Sequence, residues 1–240
     1  PIVELHNGAV VGAEALLRWH NPVLGQVSPD EFVPIAEQSG QIDAIGRQVL
    51  EHALERAARW RTERDPDFWV SVNVSPQQFR DPCLVAGVQE ALNSNGLPGR
   101  ALYVEITESV LLDERGQAGV ALAELKKRGV GIAMDDFGTG YASLRYLRHF
   151  PFDTLKIDRS FVGDITADPE DAELVIASLS LAHSLNLQAL AEGVESRAQL
   201  DLLRRHGCEL AQGYLFARPL SAADLSDFPA RIALDRCRDD

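Results

Sequence analysis

The chain has 240 residues, enough for one barrel-sized α/β domain with a full core or for two small domains. Its apolar content of 45% with 25% charged residues is ordinary for a soluble globular protein, and no stretch nears the roughly 18 uninterrupted apolar residues of a membrane span. A formal charge of −13 excludes a broad cationic surface for duplex nucleic acid or anionic lipid, so an anionic ligand needs a few placed cations or bound metal ions.

The chain opens on Pro1 rather than Met, without the basic, apolar and small-residue regions of a signal peptide, and is expected to be a piece of a longer protein. Strand-type apolar runs then recur at Val10–Trp19, Phe68–Val74, Leu102–Thr107, Val130–Asp136, Thr154–Asp158, Gln188–Glu195 and Cys208–Phe216. Helical periodicity lies between them. Leu50, Leu54, Ala57 and Ala58 share a face between the first two runs, Val120, Leu122 and Leu125 precede the fourth, and Leu174, Ile176 and Leu179 through Ala182 follow the fifth.

The punctuation agrees with this division. Gly129 after Lys126-Lys127-Arg128 marks a helix end, with cations at the pole that favours them. Asp168 before Pro169 reads as an N-cap with proline at the first helical position, and Ser196 with Gln199 reads as a capping box. From Ser221 a last helix frays toward a charged terminus. Alternation of strand and helix without a linker predicts a single parallel-sheet domain over residues 1–240, and the number of units predicts a closed barrel. Cys83, Cys208 and Cys237 are odd in number and far apart, matching neither a disulfide framework nor a zinc pattern, so reduced thiols in a cytoplasmic setting are expected.

Each run ends in polar residues that a structural strand does not need: Glu14, Asn73, Glu105 with Glu108, Asp135 with Asp136, Lys156 with Asp158, Glu192 with Glu195, and Gln212. Parallel barrel strands finish at one mouth, so these residues converge. In the second run Ser71, Asn73 and Ser75 oppose Val70, Val72 and Val74, and in the third Tyr103, Glu105 and Thr107 oppose Leu102, Val104 and Ile106. The apolar faces pack on helices, leaving Asn73 and Glu105 pointing inward.

A single acid after a strand more often caps a helix or sits solvated in a loop. Seven strand ends behaving alike point instead to a cation that holds mutually repelling carboxylates together. Carboxylate and amide oxygens without nearby cysteine or paired histidine favour a hard ion, Mg²⁺ or Mn²⁺. Asp135 and Asp136 are neighbours, which a regular strand sends to opposite faces. Both reach one mouth only if the strand bends, and Gly138-Thr139-Gly140 follows where a bend is needed. Lys156 lies two residues before Asp158 on the same face, which favours an inward role over a surface ion pair.

These motifs together resemble the EAL domain, the cyclic-di-GMP phosphodiesterase of bacterial signalling proteins. The resemblance runs through Glu14-Ala15-Leu16-Leu17-Arg18-Trp19, Ser71-Val72-Asn73-Val74-Ser75, Glu105-Ile106-Thr107-Glu108, Asp135-Asp136-Phe137-Gly138-Thr139-Gly140, Leu155-Lys156-Ile157-Asp158, Ala191-Glu192-Gly193-Val194-Glu195 and Gln212-Gly213. It implies a modified (βα)₈ TIM barrel that cuts the cyclic dinucleotide to linear pGpG with two Mg²⁺ or Mn²⁺ ions. Glu14, Asn73, Glu105 and Asp135 would hold one ion, and Asp135, Asp136 and Glu192 the other. Lys156 would position or deprotonate the attacking water, while Arg18 and Leu17 would contact substrate. Glu108 would anchor the loop from Asp136 to Ser143, which couples metal binding to formation of a homodimer, and Asp158, Glu195 and Gln212 would line the site or support its ligands.

Members of the family usually carry a helix and first strand ahead of the residue matching Pro1, so part of that strand is expected to be missing. An upstream sensory or diguanylate cyclase domain is expected in the parent chain, which the inner membrane could anchor. Two other readings fit parts of the pattern. A catalytically inactive cyclic-di-GMP sensor would have lost Glu14, Asp135 or Lys156, and none is lost. A proton-abstracting barrel of the enolase kind also combines strand-end acids with lysine, but Asn73 and the Asp135-Asp136 pair suit two ions better than one.

Overall fold

Eight strands close into a barrel in a computed structural model that describes residues 1–111, 116–138 and 144–236. In chain order the strands are β1 (Ile2–Glu4), β2 (Val10–Ala15), β3 (Trp19–Asn21), β4 (Gly25–Val27), β5 (Trp69–Asn73), β6 (Leu102–Thr107), β7 (Gly131–Phe137), β8 (Thr154–Ile157), β9 (Gln188–Ala191) and β10 (Leu210–Ala211). The helices are α1 (Pro29–Gln38), α2 (Ile42–Glu63), α3 (Leu84–Ser94), α4 (Glu108–Leu111), α5 (Gln117–Lys127), α6 (Leu144–His149), α7 (Arg159–Asp164), α8 (Pro169–Ser184), α9 (Arg197–Arg205) and α10 (Ala222–Asp227). Among these described residues, no helix is long and apolar enough to cross a membrane.

The barrel runs β1-β10-β9-β8-β7-β6-β5-β2, and β3 with β4 forms a separate hairpin. From β2 round to β10 neighbouring strands are parallel, whereas β1 is antiparallel to both β10 and β2. That one reversed strand is the modification of the (βα)₈ plan. The three residues Ile2–Glu4 close the sheet.

Helix packing follows the apolar stripes with two revisions. In α5 the buried residues are Ala118, Leu122 and Leu125, while Val120 is 67% exposed; in α8 they are Val175, Leu179 and Ala182, while Leu174 faces out. Both inward sets keep the i, i+4, i+7 spacing of one helical face. The Asp168 side chain accepts the Glu170 N–H, both bonds of the Ser196–Gln199 capping box form, and Gly129 takes φ +80° after α5. Cys83 is exposed and Cys208 buried, both as free thiols, and Cys237 lies outside the described residues.

Three expected strands are markedly shorter than their apolar runs, and of Gln188–Glu195 only Gln188–Ala191 is strand. The Val10–Trp19 run breaks after Ala15, and Trp19 begins the β3–β4 hairpin, where Asn21 Oδ1 accepts the N–H groups of Val23 and Leu24. Of Cys208–Phe216 only Leu210–Ala211 is strand. The register brings the polar ends level: Glu14 pairs with Ser71, Asn73 with Glu105, and Thr107 with Asp135. Beneath them Ile2, Leu190 and Leu210 form a small apolar cluster with Val11 and Trp69 packed on it, separate from the main core under the helices.

Candidate active site

Lys156 projects from β8 into the barrel and is 1% exposed. Its Nζ lies 2.6 Å from Glu105 Oε2, 2.7 Å from Glu192 Oε1, 2.9 Å from Asp135 Oδ1 and 3.9 Å from Glu14 Oε2. Four carboxylates from β6, β7, β2 and the end of β9 therefore meet on one buried cation. The convergence needs strands far apart in sequence, and the parallel barrel supplies it.

Amide side chains hold Glu14, the acid that Lys156 reaches least closely, and also Glu192. Asn73 Nδ2 donates to Glu14 Oε1 at 2.9 Å, and Gln212 Nε2 donates to Glu14 Oε2 at 2.7 Å and to Glu192 Oε1 at 3.0 Å. Gln212 thus braces two carboxylates against each other.

One ammonium cannot neutralise four carboxylates, and the proton affinities show it. Burial would raise the Glu14 carboxyl, but Lys156 and the bonds from Gln212 and Asn73 outweigh it, so Glu14 lies below its usual range. Burial lifts Glu105 well above that range, with Glu14 and Asp135 adding to the effect and Lys156 opposing it. Burial, aided by Asp135 and Glu14 and opposed by Lys156, pushes Glu192 up to about 7. Burial acts to lower Lys156, yet Glu105, Glu14, Glu192 and Asp135 together raise it well above a free lysine. Lys156 is therefore a fixed hydrogen-bond donor.

The neighbouring acids Asp135 and Asp136 share the mouth because β7 does bend. Pairing with β8 slips between Met134 and Phe137, so that one extra β7 residue is accommodated, and Asp136 takes φ +53°. Aspartate tolerates this left-handed conformation better than most side chains. The Asp136 N–H donates to Asp135 Oδ1 at 3.0 Å. Burial first, then Asp135 and Asp158, raises the Asp136 carboxyl, with Lys156 opposing. Thr139 and Gly140 lie outside the described residues.

Asp135, Asp136 and Glu192 each present an oxygen, and these oxygens lie within 4.8 Å of one another. Three converging carboxylates, with burial driving two of them toward protonation, fit a hard divalent cation. Glu14 and Asn73 face each other beside this group with Glu105 below.

The remaining expected site residues divide. Asp158 accepts the Ser160 N–H at 2.9 Å as the N-cap of α7, so one of its oxygens serves the helix. Glu108 opens α4 directly after β6; its Oε1 is buried without a hydrogen-bond partner among the described residues, and burial raises its carboxyl. Most of the loop it was expected to anchor, residues 139–143, is outside the described residues. Glu195 is exposed and holds Gln199 through its backbone N–H. Arg18 is exposed, with Nη1 donating to the Leu17 carbonyl at 2.9 Å. Arg18 and Leu17 line a cleft of about 530 Å³ that also touches Pro34, Asn73, Pro76 and Glu105. The α1–α2 wall of that cleft was not foreseen from the strand ends, because its residues read as ordinary helix.

Residues 1–219 match the family model described as EAL domain. The chain is 42% identical over 225 residues to the bifunctional diguanylate cyclase/cyclic di-GMP phosphodiesterase MucR of Pseudomonas aeruginosa, covering 94% of this chain and 33% of that protein. It is 42% identical over 228 residues to the cyclic di-GMP phosphodiesterase NbdA of the same organism, covering 95% of this chain and 29% of that protein. It thus spans about a third or less of these relatives. A solved structure of the PaMucR phosphodiesterase in complex with c-di-GMP superposes with a TM-score of 0.89 at 42% identity, covering 94% of this chain and 91% of that one.

Proposed function

The chain belongs to the EAL domain family, and from that premise we propose that it is a metal-dependent phosphodiesterase that opens cyclic-di-GMP to linear pGpG. The observation that carries this reading is the meeting of Glu14, Glu105, Asp135 and Glu192 on Lys156, with Asp136 brought to the same mouth by the β7 bulge. No member of that set is substituted, which favours turnover over a binding module that senses the dinucleotide.

Glu14, Asn73, Glu105 and Asp135 would hold one Mg²⁺ or Mn²⁺, and Asp135, Asp136 and Glu192 a second. Such a pair, when bound, lowers the pKa of water and offsets charge on the attacking and leaving oxygens of an in-line displacement. Lys156 donates hydrogen bonds and fixed positive charge at the centre of the carboxylates, which orients a water and favours its hydroxide form. Gln212 keeps Glu14 and Glu192 in register. Asp158 keeps one oxygen free of its helix cap, and Glu108 and Glu195 stand at the rim. Arg18 and Leu17 line the cleft where a phosphate and its nucleoside would lie, so a local cation meets an anionic ligand on an acidic protein. In the net reaction water adds to phosphorus and one P–O3′ bond breaks, leaving a 5′-phosphate and a 3′-hydroxyl.

In this reading residues 1–240 are the phosphodiesterase domain of a longer cytoplasmic signalling protein that works as a homodimer beside a sensory or diguanylate cyclase domain. Incubation of the chain with cyclic-di-GMP and Mg²⁺ or Mn²⁺, with products separated by chromatography, tests the activity. Linear pGpG formed only with metal is expected. Tight binding without turnover, across both metals and a range of protein concentrations, overturns the enzyme in favour of the sensor.

A further inference from the structure

The turn that leaves β5 after Asn73 is held by a side chain with no part in the site described so far. Gln78 is 7% exposed, and its Oε1 accepts the Ser75 N–H at 3.0 Å while its own backbone N–H donates to the Ser75 carbonyl at 3.1 Å. The two bonds close a ring over Ser75–Gln78, leaving little slack just downstream of Asn73. Upstream, the Val74 N–H donates to the Glu105 carbonyl at 3.0 Å, and Asn73 Nδ2 reaches Glu14.

The far side of the Gln78 amide rests on α2 at Gly46. A Cβ there would lie 2.1 Å from Gln78 Nε2 and 3.0 Å from Cδ. Glycine inside a 22-residue helix is unfavourable relative to alanine, and Gly46 has an ordinary helical φ, so neither propensity nor backbone conformation calls for it. Space for the Gln78 amide does. Both residues line the cleft that contains Asn73 and Glu105.

We infer that Gln78, seated on Gly46, is a positioning residue that sets Asn73 against Glu14 and thereby controls how tightly the mouth holds its divalent cation. The inference rests on the proposed reading in which Asn73 and Glu14 are cation ligands. Asn73 is the neutral member of that set, so its contribution comes from placement of one amide oxygen. Its strand ends at that residue, and the Ser75–Gln78 ring is what fixes the backbone beyond it. Groups that orient a ligand in this way commonly change metal affinity about 10-fold or more when removed.

The test is direct titration of the metal-free chain with Mn²⁺, reading free Mn²⁺ by electron paramagnetic resonance, alongside cyclic-di-GMP hydrolysis by the wild type. Gln78→Ala and Gly46→Ala are each expected to weaken Mn²⁺ binding roughly 10-fold. Gln78→Glu, which keeps an oxygen for the Ser75 N–H, is expected to stay within about 3-fold of wild type. In an Asn73→Ala background, Gln78→Ala is expected to add nothing further, because its effect passes through Asn73. Should Gln78→Ala not fold, Gly46→Ala carries the same expectation, since it adds a helix-favouring methyl and only displaces the amide. Wild-type affinity in the folded variant, or an undiminished loss in the Asn73→Ala background, overturns the positioning role alone when the wild type binds Mn²⁺ and cuts the dinucleotide. A wild type that binds no Mn²⁺ overturns this inference together with the reading beneath it.

Discussion

Asp136 follows Asp135 through a left-handed backbone at φ +53°, and this single conformation puts oxygens of two adjacent residues within 4.8 Å. Substituting Asp136 separates backbone from charge. Asp136→Asn keeps a side chain that tolerates the left-handed region and removes one negative charge from a crowded mouth. It is expected to lose at least about 100-fold in cyclic-di-GMP hydrolysis while unfolding at the wild-type temperature or slightly above it. Asp136→Ala is expected to lose the same activity and, in addition, about 1 kcal/mol of stability from the backbone. Thermal unfolding beside a rate assay separates the two effects; equal unfolding temperatures would remove the conformational argument.

Lys156 is the sole cation that four carboxylates touch within 4 Å among the described residues. Removing one partner of a buried charge cluster leaves the others uncompensated, at a cost of about 3 kcal/mol or more. Lys156→Met should therefore destabilise the metal-free chain by that order at pH 8, and by less at pH 5, where Glu105 and Glu192 take up protons. Added Mn²⁺ should return part of the stability without returning the reaction. Full activity in Lys156→Met would show that its place at the hub is structural only.

Much of this arrangement was legible in the amino-acid pattern. Alternation in β5 and β6 set Asn73 and Glu105 inward, and the repeated strand–helix order required a shared mouth. The Asp135–Asp136 neighbours announced that β7 must bend. Side-chain reach was less legible. Gln212 braces Glu14 across 198 residues of sequence, a contact that depends on barrel closure through the short antiparallel β1. The break before Trp19 was hidden because Leu16-Leu17 continues an apolar run while the backbone turns out of the barrel. Val120 looked like core because hydrophobicity alone does not say which side of α5 meets β7. Gly46 was a signal present in the sequence, but its meaning needed Gln78 in space.

The pH dependence of stability follows from Glu192. Its folded pKa of about 7 exceeds the ordinary value of 4.5, so between those values the folded chain binds more protons than the unfolded one. Stability of the metal-free protein must then fall as pH rises through that window, by up to about 3 kcal/mol for this group. Glu105 acts in the same direction, and Glu14, whose pKa is lowered, has already made its opposite contribution by pH 5. Urea unfolding in a chelator at pH 5.5 and pH 8 should give the lower midpoint at pH 8. Saturating Mg²⁺ should flatten the difference, because a bound cation holds the carboxylates ionised. A metal-free midpoint that rises with pH would refute the crowding argument.

Gln212 tests whether the acids need bracing once a cation is present. Its two donated bonds, at 2.7 and 3.0 Å, go to carboxylates, and hydrogen bonds to charged groups contribute about 1.5–3 kcal/mol each when buried. The Gln212 side chain is only half-buried, so water replaces part of what is lost. Gln212→Ala is expected to cost about 1 kcal/mol of stability in the metal-free chain. With metal bound, its main expected effect is on kcat, about 10-fold, because Glu14 and Glu192 lose their common register while the Arg18 side of the cleft is untouched. KM for cyclic-di-GMP should change little. A rise in KM at unchanged kcat would instead make Gln212 a substrate contact, and its bonds to Glu14 and Glu192 a feature of the metal-free protein only.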